Sequence, residues 1–409
     1  MPVKPDLRRK IVTERKTAEE IINNLKAVAT FLKNNYLERE DTVRQLLLAV
    51  LTKQHVLLFG EPGTAKSRIV TSFMSCFEGA NTFRKQLSRY LPEEAIIGSL
   101  NPKLLREEGI YEYNTTGTLV DAHLAYLDEV FDGNDSTLRS MLEILNERQF
   151  TKGHQKLECP LVSCFMASNF HREDKNVEAF IDRILFRSML TGIVEKGNKI
   201  SMLKNFICND ETPKYDGEKI SMADLDVLHE ALNSVTMADD LIDTFVSFVG
   251  ELCTTLSIKI SDRKINQLTY VLKASALLQK RQHITFDDFL YIKYGLLVLG
   301  KKLEEEDLFD KLYAHYAKNI IGIESTVDHI EKDLQDYLNK INLADKDRLK
   351  QNVEDLKKKF DIVEKGEQEL GRAGAADAAK INKARARFKQ MRTAIDEKID
   401  QIIAVVKAV

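Results

Sequence analysis

The chain has 409 residues, 44% of them hydrophobic, enough for two or three domains with a sizeable buried core. Its 60 Lys and Arg nearly balance 63 Asp and Glu, and a formal charge of −3 carries no global mark of a nucleic-acid binder. No apolar run reaches the ~20 residues of a membrane span; the best candidate, Phe289 to Leu299, is short and interrupted by Lys293.

The first sixteen residues are locally basic (Lys4, Arg8, Arg9, Lys10, Arg15, Lys16), and Glu14, Glu19 and Glu20 soon offset them, as in a solvated tail. Residues 17–52 predict two helices joined near Asn34-Asn35, with Ile21, Ile22, Leu25, Val28, Ala29 and Leu32 in helical rhythm. From 55 to about 190, strand-like runs at 55–59, 82–87, 124–127, 161–167 and 185–190 alternate with helical patterns. That alternation predicts an α/β domain, a mainly parallel sheet sandwiched by helices.

The first run, His55-Val56-Leu57-Leu58-Phe59, feeds directly into Gly60-Glu61-Pro62-Gly63-Thr64-Ala65-Lys66-Ser67. Strand, Gly-rich loop, Lys-Ser and helix make a P-loop: backbone N–H groups surround an anion, and the helix N-terminus adds its positive end. Gly60, Pro62, Gly63, Thr64 and Ala65 form the cradle, Lys66 meets the β- and γ-phosphates, and Ser67 offers a hydroxyl to Mg²⁺. Ala65 stands where the common pattern has glycine, which calls for a negative φ there.

Residues 98–117 read as an inserted hairpin-like element. Leu124 to Glu129 is a buried strand ending in two acids, expected beside the P-loop strand, with Asp128 serving the metal and Glu129 the attacking water. A second hairpin is expected at 147–161, turning at Lys152-Gly153-His154. The run 161–167 ends in Ser168-Asn169, whose amide can reach between γ-phosphate and water or cap the next helix. Arg183, followed by Arg187, is placed to project toward a neighbouring subunit's nucleotide, or to pair with Asp182 on the surface.

From 197 to 300 the pattern is helical, with a polar connection at 209–216. Arg263, in Ser261-Asp262-Arg263-Lys264, falls in a first helical turn, a poor place for a cation that an anionic partner such as phosphate explains. Heptad seams follow: Ile330, Leu334, Tyr337, Ile341; then Leu349, Val353, Leu356, Phe360, Val363; then Ile381, Ala384, Phe388, Met391, Ile395. The glycine-bearing break at 365–376 predicts the tip of a long helical hairpin, with a compact three-helix bundle as the alternative. The five cysteines are odd in number and form no C-x-x-C, which, with no signal-peptide pattern, predicts reduced thiols in a cytoplasmic protein.

Taken in order, GEPGTAKS at 60–67, PEEAIIGSL at 92–100, EEGIYEYNTTGTLVDAHLAYLDEV at 107–130, LEILNERQF at 142–150, ASN at 167–169, DRILFR at 182–187 and SDRK at 261–264 resemble the MoxR group of AAA+ ATPases, especially its RavA-like branch. In that group an alanine before the lysine is ordinary. The resemblance spans about 35–300. It implies an αβα nucleotide domain at 35–195 and a helical lid at 196–300, leaving an N-terminal helical extension at 1–34 and the heptad extension at 301–409 unmatched. It implies ATP and Mg²⁺ as ligands, Asp128 and Glu129 as the Walker B pair, and Asn169 as sensor 1. Arg183, before Arg187, becomes the arginine finger, and Arg263 becomes sensor 2, which in this clade can act on a neighbour's nucleotide. It also implies a hexameric ring and a client protein, with a von Willebrand factor A domain protein as the candidate partner. A nucleic-acid motor of the same clade and a nucleotide-binding scaffold are the alternatives. Against the motor, the candidate pore hairpin carries Lys152, His154 and Lys156 but also Glu158.

Overall fold

The computed structural model describes residues 16–152, 154–169, 175–208, 213–341, 348–370 and 378–407. The expected basic tail up to residue 15, the Gly153 turn centre, the first half of the 209–216 connection and the second half of the 365–376 hairpin tip lie outside these residues. Helix α1 (Ala18–Asn35) opens on a capping box in which Thr17 and Glu20 satisfy each other's backbone N–H, and it buries Ile21, Ile22, Leu25, Val28 and Leu32. Helix α2 (Glu40–Thr52) leads into β1 (Val56–Gly60), whose five residues are all buried. After α3 (Lys66–Met74) come β2 (Phe77–Glu78) and β3 (Thr82–Gln86).

The inserted element is a hairpin that carries a helix. Short helix α4 (Glu94–Ile97) precedes β4 (Ser99–Leu100), which pairs antiparallel with β5 (Tyr113–Asn114) around α5 (Pro102–Glu108). Gly98 makes the entry at φ 101°, where a Cβ would sit 2.1 Å from the Asn114 carbonyl oxygen. Strand β6 (Leu124–Asp128) precedes α6 (Asp135–Glu147), whose cap Asn134 accepts from the Thr137 N–H at 2.9 Å. The second hairpin is β7 (Gln149–Lys152) with β8 (Gln155–Glu158). It is fastened to the insert: the Gln155 amide accepts from Tyr113 N–H at 2.8 Å and donates to Tyr113 O at 3.2 Å, and Lys152 pairs with Glu93 at 2.7 Å. The chain continues through β9 (Ser163–Ser168), α7 (Lys175–Asp182), β10 (Phe186–Leu190), α8 (Lys196–Cys208), β11 (Ile220–Ser221) and α9 (Met222–Ser234). Then follow α10 (Asp239–Leu256), α11 (Asp262–Leu278), α12 (Ile292–Leu296) and β12 (Val298–Leu299).

All five expected strands join one six-stranded sheet of order β12-β10-β1-β9-β6-β3, every pairing parallel. Strand β3 is the edge, which is why it tolerates the exposed Arg84. On one face Leu57, Phe59, Ala125, Leu127, Cys164 and Met166 meet Leu138, Met141 and Ile144 of α6 and Phe180 of α7. On the other, Phe73 of α3 packs edge-on against Phe165 at 5.6 Å, and α2 lies against β1 and β10. One expectation is corrected: β6 is not beside β1, because β9 lies between them. The chain leaves β6 through α6 and the second hairpin and returns in the middle of the sheet.

The described residues form two compact units. The first comprises those up to Val235, with Asp262–Gln282 and Tyr291–Leu303. The second comprises Thr236–Ser261, His283–Leu290 and those from Glu304 onward, so the helices of 196–300 are shared between the two units. In the second unit Phe248 is ringed by Phe286, Phe289, Phe309 and Tyr316, at 5.2 to 6.4 Å between ring centres. The heptad region forms three helices, α13 (Leu303–Lys340), α14 (Leu349–Leu370) and α15 (Ala378–Lys407); α14 and α15 pack together as arms on either side of the expected break, and α13 joins them as in the three-helix alternative. All three seams share one core: Val327 and Leu334 with Leu349, Leu356, Val363, Phe388, Met391 and Ile395. A hairpin of two helices leaves α13's stripe wet; a third helix buries it. Phe388, 1% exposed, sits in that core. Phe388→Ala is expected to destabilise the bundle by ~3–5 kcal/mol, read as an earlier unfolding transition of helical circular dichroism.

Candidate nucleotide site

At the C-terminal ends of β1, β6 and β9, the first unit opens a cleft of about 1460 Å³ lined by Pro62–Arg68, Asp128, Glu129 and Asn169. Tyr36, Leu37, Ile193, Met202 and Leu203 supply apolar wall. Ligands of open α/β sheets collect at this end of the strands.

The P-loop wraps the N-terminus of α3. Gly60, at φ 150°, is pressed against β10, where a Cβ would lie 2.3 Å from Leu190 O. Ala65, the N-cap of α3, has φ 65° and ψ 19°. The expectation of a negative φ is therefore wrong. Alanine carries the left-handed turn itself, at ~1–2 kcal/mol relative to a right-handed conformation. No side chain caps α3, so its first N–H groups remain for the loop to present.

Lys66 is 6% exposed, and its ammonium donates to Gly60 O at 2.6 Å, Glu61 O at 2.9 Å and Asn169 Oδ1 at 2.8 Å. Burial lowers its pKa, while the charges of Glu129 and Asp128 hold it up. Ser67 O–H donates to Asp128 Oδ2 at 3.1 Å and accepts from the Tyr126 O–H at 2.9 Å. Burial raises the Tyr126 pKa, so the phenol stays protonated and a donor. Glu129 leaves β6 in the left-handed region (φ 49°) and accepts from the Asn169 side-chain amide and, at 3.4 Å, from its backbone N–H. The interposed β9 thus sets Asn169 between Lys66 and Glu129, touching both.

Two residues, Arg39 in the cleft wall and Tyr126 behind it, escaped the motif reading. Arg39, 8% exposed, donates to the carbonyls of Glu38 and Thr191 and to Thr64 O at 3.4 Å, tying the P-loop to the end of β10. Its signal was a cation directly before the acid-rich start of α2 (Glu40, Asp41), the irregularity already noted for Arg263. Tyr126 was a hydroxyl inside an aliphatic buried strand, where a phenol needs a partner. Glu38 accepts from Val194 N–H at 2.8 Å and Glu195 N–H at 2.9 Å, anchoring the approach to α8.

The arginines stand apart. Arg183, half-buried after α7, and Arg263 do not line the cleft; Arg263 donates to Asn146 Oδ1 at 3.0 Å. Arg187 lies within β10 and donates to Leu296 O at 3.3 Å, committed to its own chain.

These residues fit a nucleotide triphosphate and Mg²⁺. A buried ammonium whose three hydrogen-bond partners are neutral oxygens, a glycine cradle and an uncapped helix start suit polyanionic phosphate. One hydroxyl beside one carboxylate is the sparse oxygen set that Mg²⁺ takes when phosphates complete its shell.

The model of the MoxR domain in MoxR-vWA-beta-propeller ternary systems matches residues 23–230, just over half of the chain. The chain belongs to the MoxR AAA+ ATPases. A model of an AAA lid domain matches residues 240–311. Among MoxR relatives, the chaperone MoxR1 of Mycobacterium tuberculosis is 28% identical over 170 residues, 41% of this chain and 44% of that protein. An uncharacterized protein of Methanocaldococcus jannaschii is 29% identical over 326 residues, 77% of this chain and 81% of its own. A crystal structure of an ATPase candidate from Cytophaga hutchinsonii shares the fold, with TM-score 0.57 at 20% identity, covering 72% of this chain and 94% of that one. Among the described residues, no helix is long and apolar enough to cross a membrane.

Proposed function

We propose that this MoxR protein hydrolyses ATP at the interfaces of a hexameric ring and uses the turnover to remodel or activate a partner protein. The observation that carries the reading is the convergence of Lys66, Ser67, Asp128, Glu129 and Asn169 on one cleft. Gly60, Pro62, Gly63, Thr64, Ala65 and Lys66 hold the phosphates; Ser67 and Asp128 hold Mg²⁺. When bound, that ion neutralises charge on the β- and γ-oxygens. Glu129 takes a proton from the attacking water, and Asn169 aligns that water against the γ-phosphate. Arg183 and Arg263 have no place in their own subunit's cleft, which supports their acting on a neighbour's nucleotide and hence a ring.

The matched family model, named for three-part systems with vWA and β-propeller proteins, supports a partner with a von Willebrand factor A domain. The motifs quoted above favour the RavA-like branch, and free cysteines at 76, 159, 164 and 253 suit a reducing cytoplasm. Phosphate release from ATP by the full chain, with and without Mg²⁺ and over a range of protein concentration, tests the reading. Mg²⁺-dependent release that rises with assembly is expected. Mg²⁺-independent release at constant specific activity sinks both the metal site and the ring.

A further inference from the structure

Resting on the nucleotide-site reading, the hydrogen-bond arithmetic at Ser67 assigns work to a residue outside the P-loop and Walker B pairs. A serine hydroxyl has one proton and two acceptor lone pairs. The Ser67 proton goes to Asp128 Oδ2 at 3.1 Å, and one lone pair accepts from the Tyr126 O–H at 2.9 Å. One lone pair is left, on a residue that lines the cleft. Without the phenol, the Ser67 hydroxyl is free to rotate its proton toward other acceptors, and its lone pairs have no fixed direction. Tyr126 itself is held firmly. It is 3% exposed in β6, and the Arg84 guanidinium, opposite it in the β3–β6 register, lies over its ring at 5.7 Å.

We infer that Tyr126 is a positioning residue for Mg²⁺, its phenol orienting the Ser67 hydroxyl so that the remaining lone pair meets the cation. The phenol also lies within reach of the Asp128 carboxylate, but its 2.9 Å bond is to Ser67, and its orienting role is through that hydroxyl. Outer partners of metal ligands typically change metal affinity by ~10–100-fold, and a single hydrogen bond to one ligand belongs at the lower end.

The test uses the full chain and a methylanthraniloyl-labelled ATP, whose fluorescence reports binding while Mg²⁺ is titrated. Tyr126→Phe removes one oxygen and keeps the ring. It is expected to raise the Mg²⁺ midpoint by about tenfold and to leave affinity in EDTA unchanged. Combined with Ser67→Ala, it is expected to add nothing to the serine variant's own loss, because the phenol works through that hydroxyl. An unmoved midpoint overturns the inference, as does an equal loss of affinity in EDTA or additive losses in the double variant. Should Tyr126→Phe lose its fold, Tyr126→Met, which fills the space without a donor, takes its place in the same cycle. If the wild-type chain itself gains no affinity from Mg²⁺, it is the metal-site reading that fails, and the inference falls with it.

Discussion

Glu129→Gln is expected to lower ATP turnover by ~10²–10⁴-fold, the usual worth of a positioned general base, while ATP stays bound. The reason lies in what glutamine keeps. Glu129 accepts from the Asn169 side-chain amide and from its backbone N–H at 3.4 Å, and a glutamine oxygen can accept one or both. The Lys66–Asn169 bond at 2.8 Å is untouched, so the phosphate side of the cleft survives. What is removed is the capacity to take a proton, together with one of the two negative charges facing Lys66. Single-turnover phosphate release, with retention of labelled ATP through gel filtration, separates the two effects. Loss of nucleotide together with turnover would falsify the division of labour, since Glu129 would then be holding the cleft together. Unchanged turnover would reduce the site to a structural nucleotide pocket. Asp128→Asn is the useful contrast: Asp128 accepts the Ser67 proton, so its loss should appear first in Mg²⁺ dependence.

Four of the five long strands were legible as short, largely buried apolar runs between turn or helix signals, as parallel sheets require, whereas the edge strand β3 carries Arg84 and Lys85 and gave the weakest signal. Their order in space was not legible. Nothing in Leu124–Asp128 says whether its neighbour is the P-loop strand or the strand that follows the second hairpin; that is decided by the crossover. The consequence is chemical, because the interposed β9 lets Asn169 touch both Lys66 and Glu129. β12 (Val298–Leu299) was hidden inside a run read as helical, since two residues are too few to establish a period. Ala65 shows the limit of residue-type rules. The loop takes a left-handed residue at this position, and alanine supplies it at a modest energetic cost. Arg39 was missed for a different reason: besides its neighbour's carbonyl it meets two carbonyls from distant segments, Thr64 and Thr191, and a carbonyl leaves no trace in side-chain pattern. In the heptad region the seams were read correctly one by one. Their number of partners was not, because an apolar stripe states that something must cover it without stating how many helices will.

Arg183→Ala is expected to reduce turnover by ~10³–10⁵-fold, as removal of an arginine finger does elsewhere, and to do so through its neighbours. In its own subunit Arg183 follows α7 and does not line the cleft, so truncating it leaves Lys66, Ser67, Asp128 and Glu129 as they are. Nucleotide affinity of the isolated variant should therefore remain near wild type. In a mixed ring, each variant subunit disables the site of the subunit it faces, not its own. Titrating variant into wild type at constant total concentration should lower specific activity at least in proportion to the variant fraction, and more steeply if sites fire in sequence. A complementary mixture of Arg183→Ala with Glu129→Gln distinguishes the geometry. Each variant alone is inactive, yet mixed rings contain interfaces where an intact Glu129 meets an intact Arg183, so part of the activity should return. If Arg183 acted within its own subunit, the Glu129→Gln subunits would lack their base and the Arg183→Ala subunits their arginine. No interface would then be whole, and mixing would restore nothing. Arg187→Ala serves as the control. Its guanidinium is tied to Leu296 O at 3.3 Å within its own chain, so its loss should lower the melting temperature before it alters mixing behaviour. Restoration of activity by mixing thus requires assembly and an arginine supplied across the interface.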